Sequence, residues 1–228
     1  MVLFAVLLFA AFAALTGAVH LGAVAGFDTA IHEWFLGFRD ESLTTGAVVI
    51  THAGGTVAMW MLALVACGGL LWRGRRADAA LVAGVGAVAA VAVPVFKDLI
   101  GRVRPPLDDR LVTIDSPAFP SGHSAGAAAV IGVLSVLCWL RFRHRVAVRI
   151  TVLLAAVFVG LVGLSRVYLG VHWATDVLAG WSLGGLLVLL GVLMHRRAGR
   201  SARPDTVAAE LTVSRPGAEA ASATGIAG

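Results

Sequence analysis

Three short runs of this 228-residue chain hold the residue types from which catalysis can be built. The first is Lys97-Asp98-Leu99-Ile100-Gly101-Arg102-Val103-Arg104-Pro105, which continues directly from a long apolar block. If the helix persists, Lys97 and Arg104 share a face and Pro105-Pro106 ends it. Two cations on one face form half of a clamp for an anion, although Lys and Arg snorkelling from a helix end give the same pattern. The second run, Pro120-Ser121-Gly122-His123-Ser124, opens another apolar block. Gly122 lets the backbone approach a ligand closely. The Ser121 hydroxyl and nearby amides at a helix N-terminus suit an oxyanion or phosphate, and His123 adds a proton donor. A helix cap accounts for the serine but not for the adjacent histidine. The third run is Ser165-Arg166, five residues, His172, three residues, Asp176. At i,i+4 His172 and Asp176 are neighbours on a helix leading into the last apolar block. A carboxylate beside an imidazole holds one tautomer and leaves the other nitrogen free as nucleophile or base. Arg166 offers a planar fork matched to phosphate. The plainer alternative is a surface ion pair between His172 and Asp176.

These residues need elements to hold them, and the composition says which. The chain is 59% hydrophobic and 14% charged with a mean hydropathy of +0.90, whereas a soluble domain carries about a quarter charged residues. Crossing a bilayer takes roughly 20 predominantly apolar residues. Six blocks qualify: Val2–Val19, Thr45–Trp72, Ala79–Phe96, Ala125–Leu140, Ile150–Leu164 and Val177–Met194, the fourth and fifth being short but extensible. The expectation is an all-α, polytopic membrane protein of six transmembrane helices. Its domain occupies 1–197, and the Ala-, Gly-, Ser- and Pro-rich stretch 198–228 is a disordered tail that cannot bury enough apolar surface to fold. Ala23-Val24-Ala25 has the small-residue pattern of a signal-peptidase site, but no Lys or Arg precedes the first block as a signal peptide requires. Cys67 and Cys138 fall within blocks and read as two small buried thiols. The segment 28–39 sets Ile31, Trp34, Phe35 and Phe38 opposite His32, Glu33 and Arg39, an amphipathic helix for the outer interface. It could cover or guide an amphiphilic substrate, or simply connect two spans.

The net charge of +5 is a topology signal. Arg73, Arg75 and Arg76, then Arg141, Arg143, Arg145 and Arg149, then Arg196, Arg197, Arg200 and Arg203 place 11 of the 18 basic residues in alternate connections. By the positive-inside rule those connections and both termini are cytoplasmic. The connections 20–44, 97–124 and 165–176 then face outside, with Trp34 and Trp173 at outer edges and Trp72 and Trp139 at inner ones. Basic residues so distributed exclude a nucleic-acid partner. The three reactive runs all fall at the extracytoplasmic ends of helices 3, 4 and 6 or beside them.

Taken together, Lys97-x6-Arg104-Pro105, Pro120-Ser121-Gly122-His123 and Ser165-Arg166-x5-His172-x3-Asp176 resemble the three-part signature of the type 2 phosphatidic acid phosphatase (PAP2) superfamily. That superfamily includes lipid phosphate phosphatases, undecaprenyl-pyrophosphate phosphatases and vanadium haloperoxidases, and the resemblance covers residues 26–195. It implies that His172 attacks phosphorus to form a phosphohistidine, with Asp176 orienting it. His123 protonates the departing oxygen and then activates water, while Lys97, Arg104, Ser121, the Gly122 amide and Arg166 hold the phosphoryl oxygens. No metal and no cofactor is implied. Asp108 and Asp109, beside Arg110, read as solvated charge, and His20, His32 and His52 receive no role. The substrate implied is a lipid phosphate or lipid pyrophosphate drawn from the surrounding membrane lipids: phosphatidate, phosphatidylglycerol phosphate and undecaprenyl pyrophosphate fit equally. Phosphotransfer to an alcohol is the alternative on the same site. A vanadate-dependent oxidase is soluble, and a non-catalytic transporter or lipid-binding protein would show a degraded motif. High Ala, Val, Gly and Arg with almost no Lys suggests a GC-rich bacterial genome and hence the bacterial cell membrane.

Overall fold

In hydrocarbon every backbone N–H and C=O must find its partner inside the protein, and a helix does this within one segment. The computed structural model describes residues 1–201 and, among them, no strand. The elements are α1 (Val2–His20), α2 (Ala25–Leu36), α3 (Glu41–Ala53), α4 (Thr56–Trp72), α5 (Arg76–Ile100), α6 (Gly122–Phe142), α7 (Val146–Tyr168) and α8 (Ala174–Ser201), with a 3₁₀ turn at Leu107–Asp109. Five of them, α1, α5, α6, α7 and α8, are each long and apolar enough to cross a bilayer. The expected second block is instead two helices, α3 and α4, bent by 43°. The bend falls at Gly54-Gly55, where a Cβ on Gly54 would collide with the Val162 side chain of α7. α8 runs through Ser201, past the boundary at 197. The expected tail from 202 onward lies outside the described residues.

α6 and α8 approach most closely because α8 presents glycine to its neighbour. A Cβ on Gly180 would stand 2.7 Å from the Ser121 carbonyl, and one on Gly184 2.6 Å from that of Ala125. Small residues give apolar helices close van der Waals contact in lipid, where burial itself supplies no drive between helices. Val82, Val85, Val133, Val162, Val188 and Val192 fill the centre of the bundle. α1 closes one flank through Phe12, whose ring meets Phe96 edge-on at 4.8 Å and packs over Phe119, Ala179 and Leu183.

The helix ends set the reactive residues. α5 stops at Ile100 because Gly101 adopts a left-handed conformation (φ 59°) and its amide bonds the Lys97 carbonyl, a glycine C-cap. Arg104 therefore lies off the helix, in the following turn, and the expected shared helical face with Lys97 does not form. His172 likewise precedes α8 rather than sitting on it. The Asp176 carboxylate reaches back to the Trp173 amide at 2.9 Å, as the acidic residue of a capping box does. The expected amphipathic helix over 28–39 forms as α2 three residues earlier, ending at Leu36, so that Phe38 and Arg39 lie in the chain that follows it. Its polar face, Asp28 and His32, is buried against the bundle, and Phe27, Trp34 and Phe38 are turned outward. Asp109 is not solvated charge: its carboxylate meets buried His32 Nε2 at 3.0 Å, and its carbonyl accepts from Arg39 at 2.8 Å. Cys67 and Cys138 are free, half-buried thiols.

The α6–α8 contact gives a direct test. Gly180→Ala should destabilise the protein by about 1–3 kcal/mol, the usual range for overpacking. Gly84→Ala, where a Cβ meets nothing within 4 Å, should leave the melting temperature equal or raised. Thermal unfolding of both variants in detergent decides it, and equal melting temperatures would remove the close-packing argument.

Candidate active site

The residues singled out from the three runs collect at one end of the bundle, where α5 and α7 finish and α6 and α8 begin. Lys97, Arg104, Gly122, His123 and His172 line the polar end of a cavity of about 400 Å³. Its remaining wall is apolar, formed by Met59, Trp60, Ala63, Ala89 and Val130 of α4, α5 and α6. Ser121, Arg166 and Asp176 are buried and are not among the residues lining the cavity.

The orientation of His172 follows from its neighbours. Its Nδ1 lies 3.3 Å from Asp176 Oδ2 and its Nε2 lies 3.2 Å from Arg104 Nη1. A guanidinium can only donate, so Nε2 is the unprotonated nitrogen and the Nδ1 proton points to Asp176. The residue is held in the tautomer whose Nε2 lone pair accepts from Arg104, and it lines the cavity. Burial, then the charges of Arg104, Arg166 and Lys97, push His172 well below the ordinary imidazole value, which keeps the ring neutral at physiological pH.

The three cations are held by neutral groups. Arg104 donates to the carbonyls of Ser116 (2.6 Å), Pro117 (3.2 Å) and Val171 and to the Ser116 hydroxyl (3.3 Å). Lys97 Nζ donates to the Pro117 carbonyl. Arg166 Nη1 donates to the Thr51 hydroxyl at 2.6 Å, and its buried Nε and Nη2 have no partner among the described residues. None of the three is among the ion pairs of the described residues. Such a cluster is suited to an anion, because each cation still has charge to satisfy. Ser121 is the N-cap of α6, its hydroxyl accepting from the Ser124 amide at 3.5 Å and the Ser124 hydroxyl at 3.1 Å. Its own amide donates to the Asp176 carbonyl at 3.0 Å, joining the starts of α6 and α8.

Four residues of this region carry no signal in the motif spacing of the three runs. Thr51, inside an apolar block, anchors Arg166. Asp28, Arg102 and Thr175 form a buried network on the far side of Asp176. Arg102 stands between the two expected cations, and its charge at a span edge is a signal that could have found it. Asp28 opens the amphipathic segment, where its carboxylate is the corresponding signal.

Apolar helices long enough to span a membrane and a cation-lined cavity at one end suit a membrane-embedded enzyme with an anionic substrate, and comparison with known proteins gives its family. Residues 78–200, more than half of the chain, match the model of the PAP2 superfamily. The chain is 37% identical over 187 residues to phosphatidylglycerophosphatase B of Bacillus subtilis (strain 168), covering 80% of this chain and 90% of that protein. It is 34% identical over 140 residues to the decaprenylphosphoryl-5-phosphoribose phosphatase of Mycolicibacterium smegmatis, 60% of this chain and 70% of that one. The crystal structure of a transmembrane PAP2 type phosphatidylglycerolphosphate phosphatase from Bacillus subtilis superposes with a TM-score of 0.78 at 35% identity, over 85% of this chain and 96% of that chain. The chain belongs to the PAP2 superfamily.

The depressed pKa of His172 makes stability depend on pH in one direction. Below the ordinary imidazole value of about 6.5 the unfolded chain binds a proton at His172 that the folded protein refuses. Stability contributed by the neutral ring is therefore present above that value and lost as pH falls through and below it. Melting temperatures of wild type and His172→Gln in detergent, measured from pH 7.5 to pH 5, should show wild type losing ground to the variant on acidification. A constant difference across the range would mean the folded state does not depress this histidine.

Proposed function

We propose that this protein hydrolyses the terminal phosphate of a lipid phosphate or lipid pyrophosphate through a phosphohistidine formed on His172. The single observation that carries the proposal is the unprotonated Nε2 of His172, accepting from Arg104 beside a cavity that Lys97 and Arg104 line with no carboxylate ion-pair partner among the described residues. In the first step Nε2 attacks phosphorus and the bond from phosphorus to the leaving oxygen breaks. His123 gives that oxygen a proton, and the proton on Nδ1 of the new phosphoimidazolium stays on that nitrogen, hydrogen-bonded to Asp176. In the second step water attacks phosphorus, its proton passes to His123, and the P–N bond breaks to release inorganic phosphate. Arg104, now on Nε2, is placed to pass its N–H to a phosphoryl oxygen, joined by Lys97, Arg166, the Gly122 amide and Ser121. Developing charge is met by preorganised donors, so the chemistry is metal-independent.

The apolar wall below the cations suits the first carbons of an acyl or prenyl chain. Phosphatidylglycerol phosphate is the first substrate to test, because the Bacillus subtilis relative is named for it and aligns over 80% of this chain. Phosphatidate and undecaprenyl pyrophosphate present the same terminal phosphate. With α3 and α4 counted as one bent span there are six, an even number that sets both termini on one side; on this reading that side is the bacterial cytoplasm and the site is extracytoplasmic. The arginines support this sidedness: they lie at the end of the bundle opposite the cavity, around Arg73, Arg75, Arg141 and Arg197. On this reading residues 1–197 are the phosphatase unit and 198–228 a cytoplasmic extension.

His172→Ala should abolish turnover while retaining lipid binding, and wild type mixed with labelled substrate should carry an acid-labile phosphoryl group. Appreciable turnover by the variant would overturn the nucleophile assignment. His123→Ala should lose about 10²- to 10⁴-fold in kcat/KM on a lipid monophosphate and much less on a pyrophosphate, whose leaving group is the weaker base. Equal losses on both would show that His123 is not the leaving-group acid. For sidedness, a cysteine placed in the 106–116 connection should react with an impermeant thiol reagent in intact cells. The same modification failing there would put the site in the cytoplasm.

A further inference from the structure

A second charged cluster lies behind the candidate site, and part of it falls outside the region matched by the family model. Asp28 of α2 and Asp176 of α8 are both fully buried. Arg102 bridges them, donating from Nη2 to Asp28 Oδ2 at 2.6 Å and from Nη1 to Asp176 Oδ1 at 2.5 Å. Thr175 closes the circuit. Its hydroxyl donates to Asp28 Oδ2 at 2.6 Å and accepts from Arg102 Nη1 at 2.8 Å, and its amide donates to Asp28 Oδ1 at 2.9 Å. Trp173 covers the guanidinium, with the Arg102 Cζ 5.8 Å from the ring centroid and the indole donating to the Val103 carbonyl at 2.9 Å.

Stability alone is a poor account of this arrangement, because buried ion-pair triads can often be replaced by apolar side chains without loss. Its geometric effect is specific. Arg102 occupies Oδ1 of Asp176, which leaves Oδ2 to the His172 Nδ1 and the Trp173 amide. The carboxylate plane is thereby fixed, and Asp176 is kept from pairing with Lys97 or Arg104. Arg102 is in turn aimed by Asp28, whose two oxygens are both bound to the first turn of α8.

We propose that Asp28 and Arg102 are positioning residues that orient Asp176 towards His172, so that α2 completes the catalytic centre. The proposal rests on His172 being the nucleophile. The test compares kcat and KM of wild type, Asp28→Asn, Asp176→Asn and the double variant on phosphatidylglycerol phosphate in detergent, per folded enzyme as judged by thermal melts. Asp28→Asn should lower kcat by about tenfold or more, the usual cost of losing an outer partner of a functional histidine, with KM unchanged because the cations are untouched. On the Asp176→Asn background the same substitution should have no further effect on kcat. Arg102→Lys, which keeps the charge but cannot serve two carboxylates at once, should fall between wild type and Arg102→Leu. Where Asp28→Asn does not yield folded protein, Thr175→Val takes its place, since it keeps every charge and removes only the hydroxyl between Arg102 and Asp28. Wild-type kcat in Asp28→Asn, or an equal loss with and without Asp176, would overturn the proposal and leave Asp28 a structural residue. Wild-type kcat in Asp176→Asn would instead remove the His172 reading on which it stands.

Discussion

A carboxylate with no exposure to solvent is the constraint around which this end of the molecule is organised. Removing an ionised carboxylate from water costs several kcal/mol even after relaxation; three contacts to the Asp176 side chain offset that cost, and a fourth, to its backbone, ties it to α6. Arg102 binds one oxygen, the His172 ring and the Trp173 amide bind the other, and its backbone carbonyl accepts from Ser121. Each contact fixes a different element. Arg102 requires α5 to have ended, so the left-handed Gly101 is needed where it stands. His172 requires the chain to turn after α7, which Gly170 allows with a φ of 70°. Ser121 requires α6 to begin beside α8, which the bare backbone at Gly180 permits.

The cations answer to the opposite rule. Lys97, Arg104 and Arg166 lie near one another with hydroxyls and carbonyls as partners, so their charge is directed but not cancelled. Asp176 would cancel part of it if Arg102 did not hold the carboxylate away. The bent pair α3–α4 contributes here too. By breaking at Gly54-Gly55 it brings the last turn of α3 against α7, so that Thr51 reaches Arg166 across the bundle. One region of low dielectric thus contains a paired triad of two carboxylates and one guanidinium beside a cluster of cations without ion-pair partners among the described residues.

Most of this is legible in the chain. Long apolar blocks give the helices, and three runs give every residue that lines the charged end of the cavity. The illegible remainder depends on distance and on local backbone choices. Asp28 and Arg102 are 74 positions apart, and Thr51 and Arg166 are 115 apart, so no spacing rule connects them. Thr51 is also a common residue type in apolar helices. The expected helical continuation from Lys97 to Arg104 fails at a single glycine, and many glycines elsewhere in the chain sit within helices without ending them. Asp109 reads as solvated because its partner, His32, is on a helix whose polar face turns inward.

Arg166 has a consequence for how such a protein can be improved or worn down. A buried guanidinium whose Nε and Nη2 have no partner among the described residues is a local defect by the standards of folding, and an apolar side chain of similar volume would remove it. Selection or engineering for thermal resistance alone would favour that replacement and similar ones at Lys97 and Arg104. On the proposed mechanism the resulting chain would fold well and turn over nothing. Robustness and turnover therefore pull against each other at these few positions, and a heat-resistant variant that keeps its activity would have to gain its stability elsewhere, along the α6–α8 seam or under α1.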